Sequence, residues 1–321
     1  MHPGEGVELL RRDDLALRGI GGRALTKLLR AGELRPVRHG VFVSRADVVG
    51  LREEDRMLVR ARALALVSRH RPVFSHLTAA AFHGLPLAAI SDSAVHAIVS
   101  DTRPSAGAGL VRHRGTLAHD DVIEHDGLRI TSLVRTVADI TRTARHETAV
   151  CIADAALRRA GAFDSREGDP AAAETFRREA GRIARLSAQG AWRAIRVLEF
   201  ADGRADGPGE SISRIRLAQL GFARPRLQVS VPGPNGTTYF VDFGLDEAAA
   251  LGEFDGASKY ADPAMRGGRT PEQVVDAEKR REDWIRGVTG RPVVRWGWEH
   301  IASASLLGQR LAAFGVVPAR G

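Results

Sequence analysis

Three acids in the last third of this 321-residue chain stand where carboxylates are costly. Asp242 interrupts the apolar run of Tyr239, Phe240, Val241 and Phe243, and Glu253 and Asp255 flank Phe254 in the next apolar stretch. Residues two apart on a strand project to one face, so Glu253 and Asp255 are expected side by side, with Asp242 brought alongside by an adjacent strand. Like charges that close require a proton or a cation between them. For an all-oxygen set the natural cation is hard and divalent, Mg²⁺ or Mn²⁺. A fourth acid, Glu210, follows Pro208 and Gly209 at the head of a predicted helix. Plainer readings exist for two of the four: Glu210 would favour a helix N-terminus through the macrodipole, and Asp255-Gly256 would make a turn. Asp242 is harder to explain that way, because a lone buried carboxylate costs on the order of several kcal/mol.

The elements expected to position these acids come in a definite order. A helix carrying Glu210 precedes a strand over R-L-Q-V-S-V-P, a strand over T-T-Y-F-V-D-F-G with Asp242, and a strand over L-G-E-F-D-G with Glu253 and Asp255. A helix from about Pro271 to Arg286 and a strand over Val293 to Trp298 follow. This order, with acids at these places, resembles the PD-(D/E)XK nuclease fold, and E-F-D-G looks like its very-short-patch-repair (Vsr-like) branch. The resemblance covers roughly the last third of the chain. It implies that Asp242 is the first metal-binding acid, Glu253 the second and Glu210 the helix acid. Asp255 stands where the motif has its lysine. Lys259, one of only three lysines among 47 basic residues, is the one near enough to substitute. On this reading Asp242, Glu253 and Asp255 hold the metal, and Lys259 orients water or neutralises the transition state.

Composition sets wider bounds. The chain is long enough for two or three domains, and 44% hydrophobic content with no apolar run of spanning length argues against a transmembrane protein. The N-terminal M-H-P-G-E-G-V-E-L-L lacks a signal peptide's basic flank and apolar segment, so a cytoplasmic location is expected. Cys151 is the only cysteine, which leaves no intrachain disulfide and no cysteine-based zinc site. The eleven histidines read as surface or satisfied core residues. A net charge of +8 and a pI near 10.7 favour a polyanionic partner. An Arg-rich, Lys-poor composition also reflects a GC-rich coding sequence, so the placement of the charge matters more than its total.

That placement is clearest at the N-terminus, over residues 1–48. Leu9 and Leu10 are assigned to a short helix, Asp13 and Asp14 to capping a second, and Gly19 to Gly22 break the chain before a third. On that third helix, Arg23 to Arg30, Leu25, Leu28 and Leu29 fall on one face and Arg23, Lys27 and Arg30 on the opposite one. Gly32 ends it, and R-P-V-R-H-G-V-F-V alternates as a hairpin about His39-Gly40. Short helices with a two-stranded wing predict a winged helix-turn-helix, its basic helix in a major groove and Arg35 and Arg38 on phosphates. An ordinary solvated face is the alternative. A-L-T-K-L-L-R-A-G-E-L followed by R-H-G-V-F resembles the N-terminal domain of the AbiEi family of type IV antitoxins, over about one seventh of the chain. The resemblance implies promoter binding and a cognate toxin as partner.

Residues 49–164 read as a central α+β region. Helices are expected over Glu54 to Arg69, after Ser75, after Thr131 or Ser132, and over Arg145 to Arg159; strands over Ala94 to Val99, Leu110 to His113 and Leu128 to Thr131. His76 and His83, seven apart, share a helix side in a structural role. Arg112, His113 and Arg114 form a basic cluster suited to a phosphate or to a solvated edge. Residues 165–208 read as a linker and helical region, with a helix over Ala171 to Leu186 and the turn-rich A-D-G-R-A-D-G-P-G before a final domain over 209–321. On the last helix, Lys279, Arg280 and Arg281 cannot all face the acids. Trp296 and Trp298 are expected in the core. The expected class is therefore mixed α/β. The expected function is a double-stranded DNA-binding protein with a Mg²⁺-dependent endonuclease-like C-terminal domain, the competing reading being a non-enzymatic antitoxin that regulates its own promoter.

Overall fold

The computed structural model describes residues 4–88, 90, 94–99, 109–163, 168–256 and 271–319. The chain is mixed α/β and divides into two compact units, Met1–Ala156 with Thr175–Phe200, and Leu157–Glu174 with Ala201–Gly321. No helix among the described residues is long and apolar enough to cross a membrane.

The first unit opens with strand β1 (Leu10–Arg11), helices α1 (Arg12–Leu17) and α2 (Gly22–Ala31), strands β2 (Leu34–Arg38) and β3 (Val41–Ser44), and the short α3 (Arg45–Val48). Leu9 and Leu10 are not helical, contrary to expectation. Leu10 and Arg11 pair with Phe42 and Val41 and make the sheet three-stranded, in the order β1-β3-β2. Pairing of that edge satisfies backbone groups which a two-residue helical stub would leave open. Leu10, Leu15, Leu25, Leu34 and Phe42 form the local core, with Leu28 and Leu29 packed against it. Asp14 accepts the Arg11 N–H from the first turn of α1, and Gly32 ends α2 in the left-handed conformation (φ 71°).

The remainder of this unit is built on α4 (Glu53–Val67), β4 (Val73–Phe74), α5 (His76–Phe82), β5 (Val95–Ile98), β6 (Leu110–His113), β7 (Val122–His125), β8 (Leu128–Thr131), α6 (Leu133–Thr143) and α7 (His146–Ala160). Its strands make a five-stranded sheet in the order β6-β5-β4-β8-β7. Ser132 caps α6 by accepting the Arg135 N–H, as expected. Ser75 makes no such cap; its hydroxyl lies 3.0 Å from His76 Nδ1. The region 165–208 holds α8 (Pro170–Arg185) and α9 (Ala191–Phe200). Ile183, Ala184 and Ala194 from these helices share a core with Ala138 of α6.

The second unit runs α10 (Pro208–Gln219), β9 (Arg226–Pro232), β10 (Thr238–Leu245), β11 (Ala250–Phe254), the helix Pro271–Thr289, β12 (Val293–Trp296) and the helix Ala304–Ala312. Its sheet has the order β12-β11-β10-β9, with β9, β10 and β11 antiparallel and β12 parallel to β11. A parallel pair requires a crossover, and the Pro271–Thr289 helix lies in it. Val231, Val241, Leu251 and Val293 pack against Ile285 of that helix. Phe243 stacks on Trp296, whose indole donates to Ser213 Oγ of α10 at 2.8 Å. Gly209 and Gly252 are there for close approach: a Cβ would collide with the Phe254 ring at the first and the Trp296 ring at the second. Trp298 lies beyond the strand end, 48% exposed, and packs edge-on against Phe254 at 5.1 Å. It is therefore not core as expected.

Candidate functional site

Helix α2 turns Leu25 inward and leaves Arg23, Lys27 and Arg30 exposed, because its leucines recur at helical spacing on one side only. Neither these three nor Arg35 on β2 makes an ion pair or side-chain hydrogen bond among the described residues. Four exposed cations in one small module, with no such partner among the described residues, suit an anion. Arg38 differs from them. It is half-buried, and its pKa is lowered by burial and then by the neighbouring Arg112.

The acids occupy the second unit. Asp242 on β10 and Glu253 on β11 come to neighbouring positions just past the last paired residues, Phe243 and Gly252. There the ladder opens, and the Asp242 carboxylate accepts the Phe254 N–H at 2.8 Å in place of a backbone carbonyl. Opposite, β9 carries Gln228 in the left-handed region (φ 52°), and no pairing is made between Val241↔Val229 and Phe243↔Leu227. A non-glycine residue in that region marks local strain. Gln228 Nε2 donates from it to Glu210 Oε2 at 3.3 Å, and the Asp206 N–H donates to the same oxygen at 3.0 Å. Glu210 lies in the first turn of α10 and is buried; burial first, and then the Asp242 charge, push its pKa up to about 8. Glu210 and Asp242 therefore sense each other, as two carboxylates sharing a site do.

Glu253 goes elsewhere. It is buried, with Oε1 2.7 Å from Arg281 Nη1 and Oε2 2.9 Å from Arg295 Nη2. Arg281 is thus the member of the Lys279-Arg280-Arg281 run that faces the acids, while Lys279 and Arg280 are exposed. Arg281 also donates to the Phe240 carbonyl at 2.5 Å. Arg295 pairs with Glu278, and its Nε lies 3.1 Å from Glu282 Oε2 outside hydrogen-bond alignment. Together these raise the Arg295 pKa against the opposing effect of burial. Asp255 follows the strand with its N–H on the Trp296 carbonyl, 2.9 Å away, and a half-buried side chain. Lys259 lies outside the described residues.

The expected metal set of Asp242, Glu253 and Asp255 does not converge. Among the described residues one group of acids and histidines brings ligand atoms within 4.8 Å of one another, and it is Glu5, His125 and Asp126 in the first unit. The donor chemistry explains the difference: two guanidinium groups already neutralise Glu253, which removes the charge deficit a divalent ion would fill. The residues thus do not fit Mg²⁺ or Mn²⁺ in the expected way; Glu210 and Asp242 interact electrostatically, but with Glu253 and Asp255 they do not complete a ligand set among the described residues.

The sequence reading also missed a cluster of histidines, which are not scattered. His76 and His113 stack with centroids 3.4 Å apart, and His96 Nδ1 lies 2.9 Å from His113 Nε2. Burial lowers the His76 pKa to about 2 and that of His113 to about 4, each reinforced by the neighbouring histidines. Three separate elements carry them, so no local spacing could have found the cluster. His83, expected on the same helix side as His76 in a structural role, places Nε2 2.9 Å from the Thr131 carbonyl.

No family model matches the chain. It is similar to two uncharacterized proteins of Mycobacterium tuberculosis, from strains CDC 1551 / Oshkosh and H37Rv. Each is 27% identical over 236 residues, which span 74% of this chain and 79% of the relative.

Proposed function

We propose that the protein binds double-stranded DNA through its N-terminal module and acts as a regulator of the AbiEi antitoxin type. The observation that carries this reading is the face of α2, where Arg23, Lys27 and Arg30 are exposed and make no ion pair or side-chain hydrogen bond among the described residues. Helices α1 and α2 are joined by four residues and flanked by a three-stranded sheet, which supports a winged helix-turn-helix with α2 as the groove-reading element. A cognate toxin is the partner this reading implies. The test is a gel-shift titration on promoter-containing duplex at several salt concentrations. Each phosphate contact contributes about 0.9 to the log-log salt slope, so the triple variant Arg23→Ala, Lys27→Ala, Arg30→Ala should lose up to about 2.7. Unchanged affinity and slope in that variant would refute the reading.

A second reading has its own support. The α-β-β-β-α-β order of the second unit, with Asp242 and Glu253 at neighbouring strand positions, favours a PD-(D/E)XK-type scaffold and hence phosphodiester hydrolysis. Against it stand the two arginines on Glu253. Plasmid nicking with Mg²⁺ or Mn²⁺ by the wild type, lost in Asp242→Asn with DNA binding intact, would elevate it above the first.

A further inference from the structure

The first unit holds a cleft of about 580 Å³ between the C-terminal end of α4 and the five-stranded sheet. That volume falls in the range of small-molecule sites, about 300–1,000 Å³. Its floor is apolar, formed by Ala97, Ile98 and Leu110 among others, and its rim carries Arg38, Arg69, His70, Arg71, Arg112 and Arg129. Among the described lining residues there is no carboxylate. Arg71 approaches Glu124 at 3.6 Å, but both side chains are at least 70% exposed, and such a pair contributes little.

Cations gathered around a concavity repel one another unless an anion joins them. At Arg38, burial first and then the neighbouring Arg112 lower the pKa. Five of the six basic groups are arginines, whose planar guanidinium presents paired donors that match phosphate oxygens. An inorganic anion would use the rim and leave the apolar floor uncovered. A phosphate attached to a flat, partly apolar body uses both.

We propose that this cleft binds the phosphate groups of a nucleotide, with the nucleoside lying over the Ala97, Ile98 and Leu110 floor. The site is separate from the duplex-binding face of α2, and its ligand is either a free nucleotide or the phosphorylated end of a strand.

Isothermal titration of the full chain tests this with five probes: ADP, adenosine, pyrophosphate, and a short single-stranded oligonucleotide with and without a terminal phosphate. ADP or the phosphorylated strand should bind, and Arg112→Ala with Arg129→Ala should weaken that binding at least about tenfold, as expected on losing charge-assisted hydrogen bonds. Both side chains are exposed, so the fold should survive their truncation. The Arg23→Ala, Lys27→Ala, Arg30→Ala variant should bind the nucleotide like wild type, which separates this site from the duplex reading. Preference for ADP identifies the free nucleotide, and preference for the phosphorylated strand identifies the strand end; either supports the proposal. It is overturned if neither binds, if adenosine or pyrophosphate binds as tightly as the better of ADP and the phosphorylated strand, or if the Arg112/Arg129 variant is indistinguishable from wild type.

Discussion

Replacing Glu253 with glutamine separates a structural ion pair from a metal ligand. The carboxylate is nine-tenths buried and faces two guanidinium groups, at 2.7 Å and 2.9 Å. Breaking a buried pair by removing one partner costs about 3–5 kcal/mol, because the other charge stays behind. Two features place the expected cost at the lower end. Glutamine keeps one oxygen that can accept from one arginine, and both arginines retain Glu278, with Glu282 also beside Arg295. Glu253→Gln should therefore lose about 3 kcal/mol of unfolding free energy, measured by urea denaturation in EDTA so that no metal contributes. Adding Mg²⁺ should then shift wild type and variant by the same amount. The opposite result is a Glu253→Gln variant within about 0.5 kcal/mol of wild type in EDTA, a change typical of an inconsequential surface site, that loses a Mg²⁺-dependent stabilisation which wild type shows. That result would make Glu253 a ligand and its arginine contacts incidental.

Acid should destabilise the first unit through its buried histidines. A folded pKa depressed below the unfolded value of about 6.5 means that the unfolded chain takes up the proton first, so stability is full above that value and falls as pH drops toward the folded pKa. For His76, at about 2 when folded, the loss between pH 7 and pH 5 is about 2 kcal/mol; His113 adds a smaller, solvent-screened share. His76→Asn, which tolerates the left-handed backbone there (φ 51°), should flatten the pH profile by about that amount, and an identical profile would count against the cluster. Arg135 is buried between Asp121 (2.7 Å) and Asp139 (2.9 Å), so Arg135→Met should cost about 3–5 kcal/mol in denaturant melts at neutral pH. Adding Asp121→Asn should recover part of that loss, since it removes a carboxylate that has lost its bonded cation, whereas Asp139 keeps Arg142 at 3.3 Å; no recovery would mean the cost is one of packing.

Local periodicity made much of this chain legible as sequence. The two faces of α2, the β2–β3 hairpin, the Ser132 cap and the order of elements in the second unit each depend on residues a few positions apart, and short-range sterics and hydrogen bonding dictate them. Asp242 was conspicuous for the same reason, as a charge inside an apolar strand. What its neighbours do could not be read that way. Glu253 is neutralised by residues 28 and 42 positions downstream, which the Pro271–Thr289 crossover and the parallel pairing of β12 bring to it. Gln228 leaves the extended conformation where its side chain meets Glu210. The histidine cluster joins α5, β5 and β6, and the arginine cleft draws on segments from Arg38 to Arg129. Each of these is a balance of charge and desolvation among groups distant in the chain, and the sign of that balance exists only once the fold has removed water from between them.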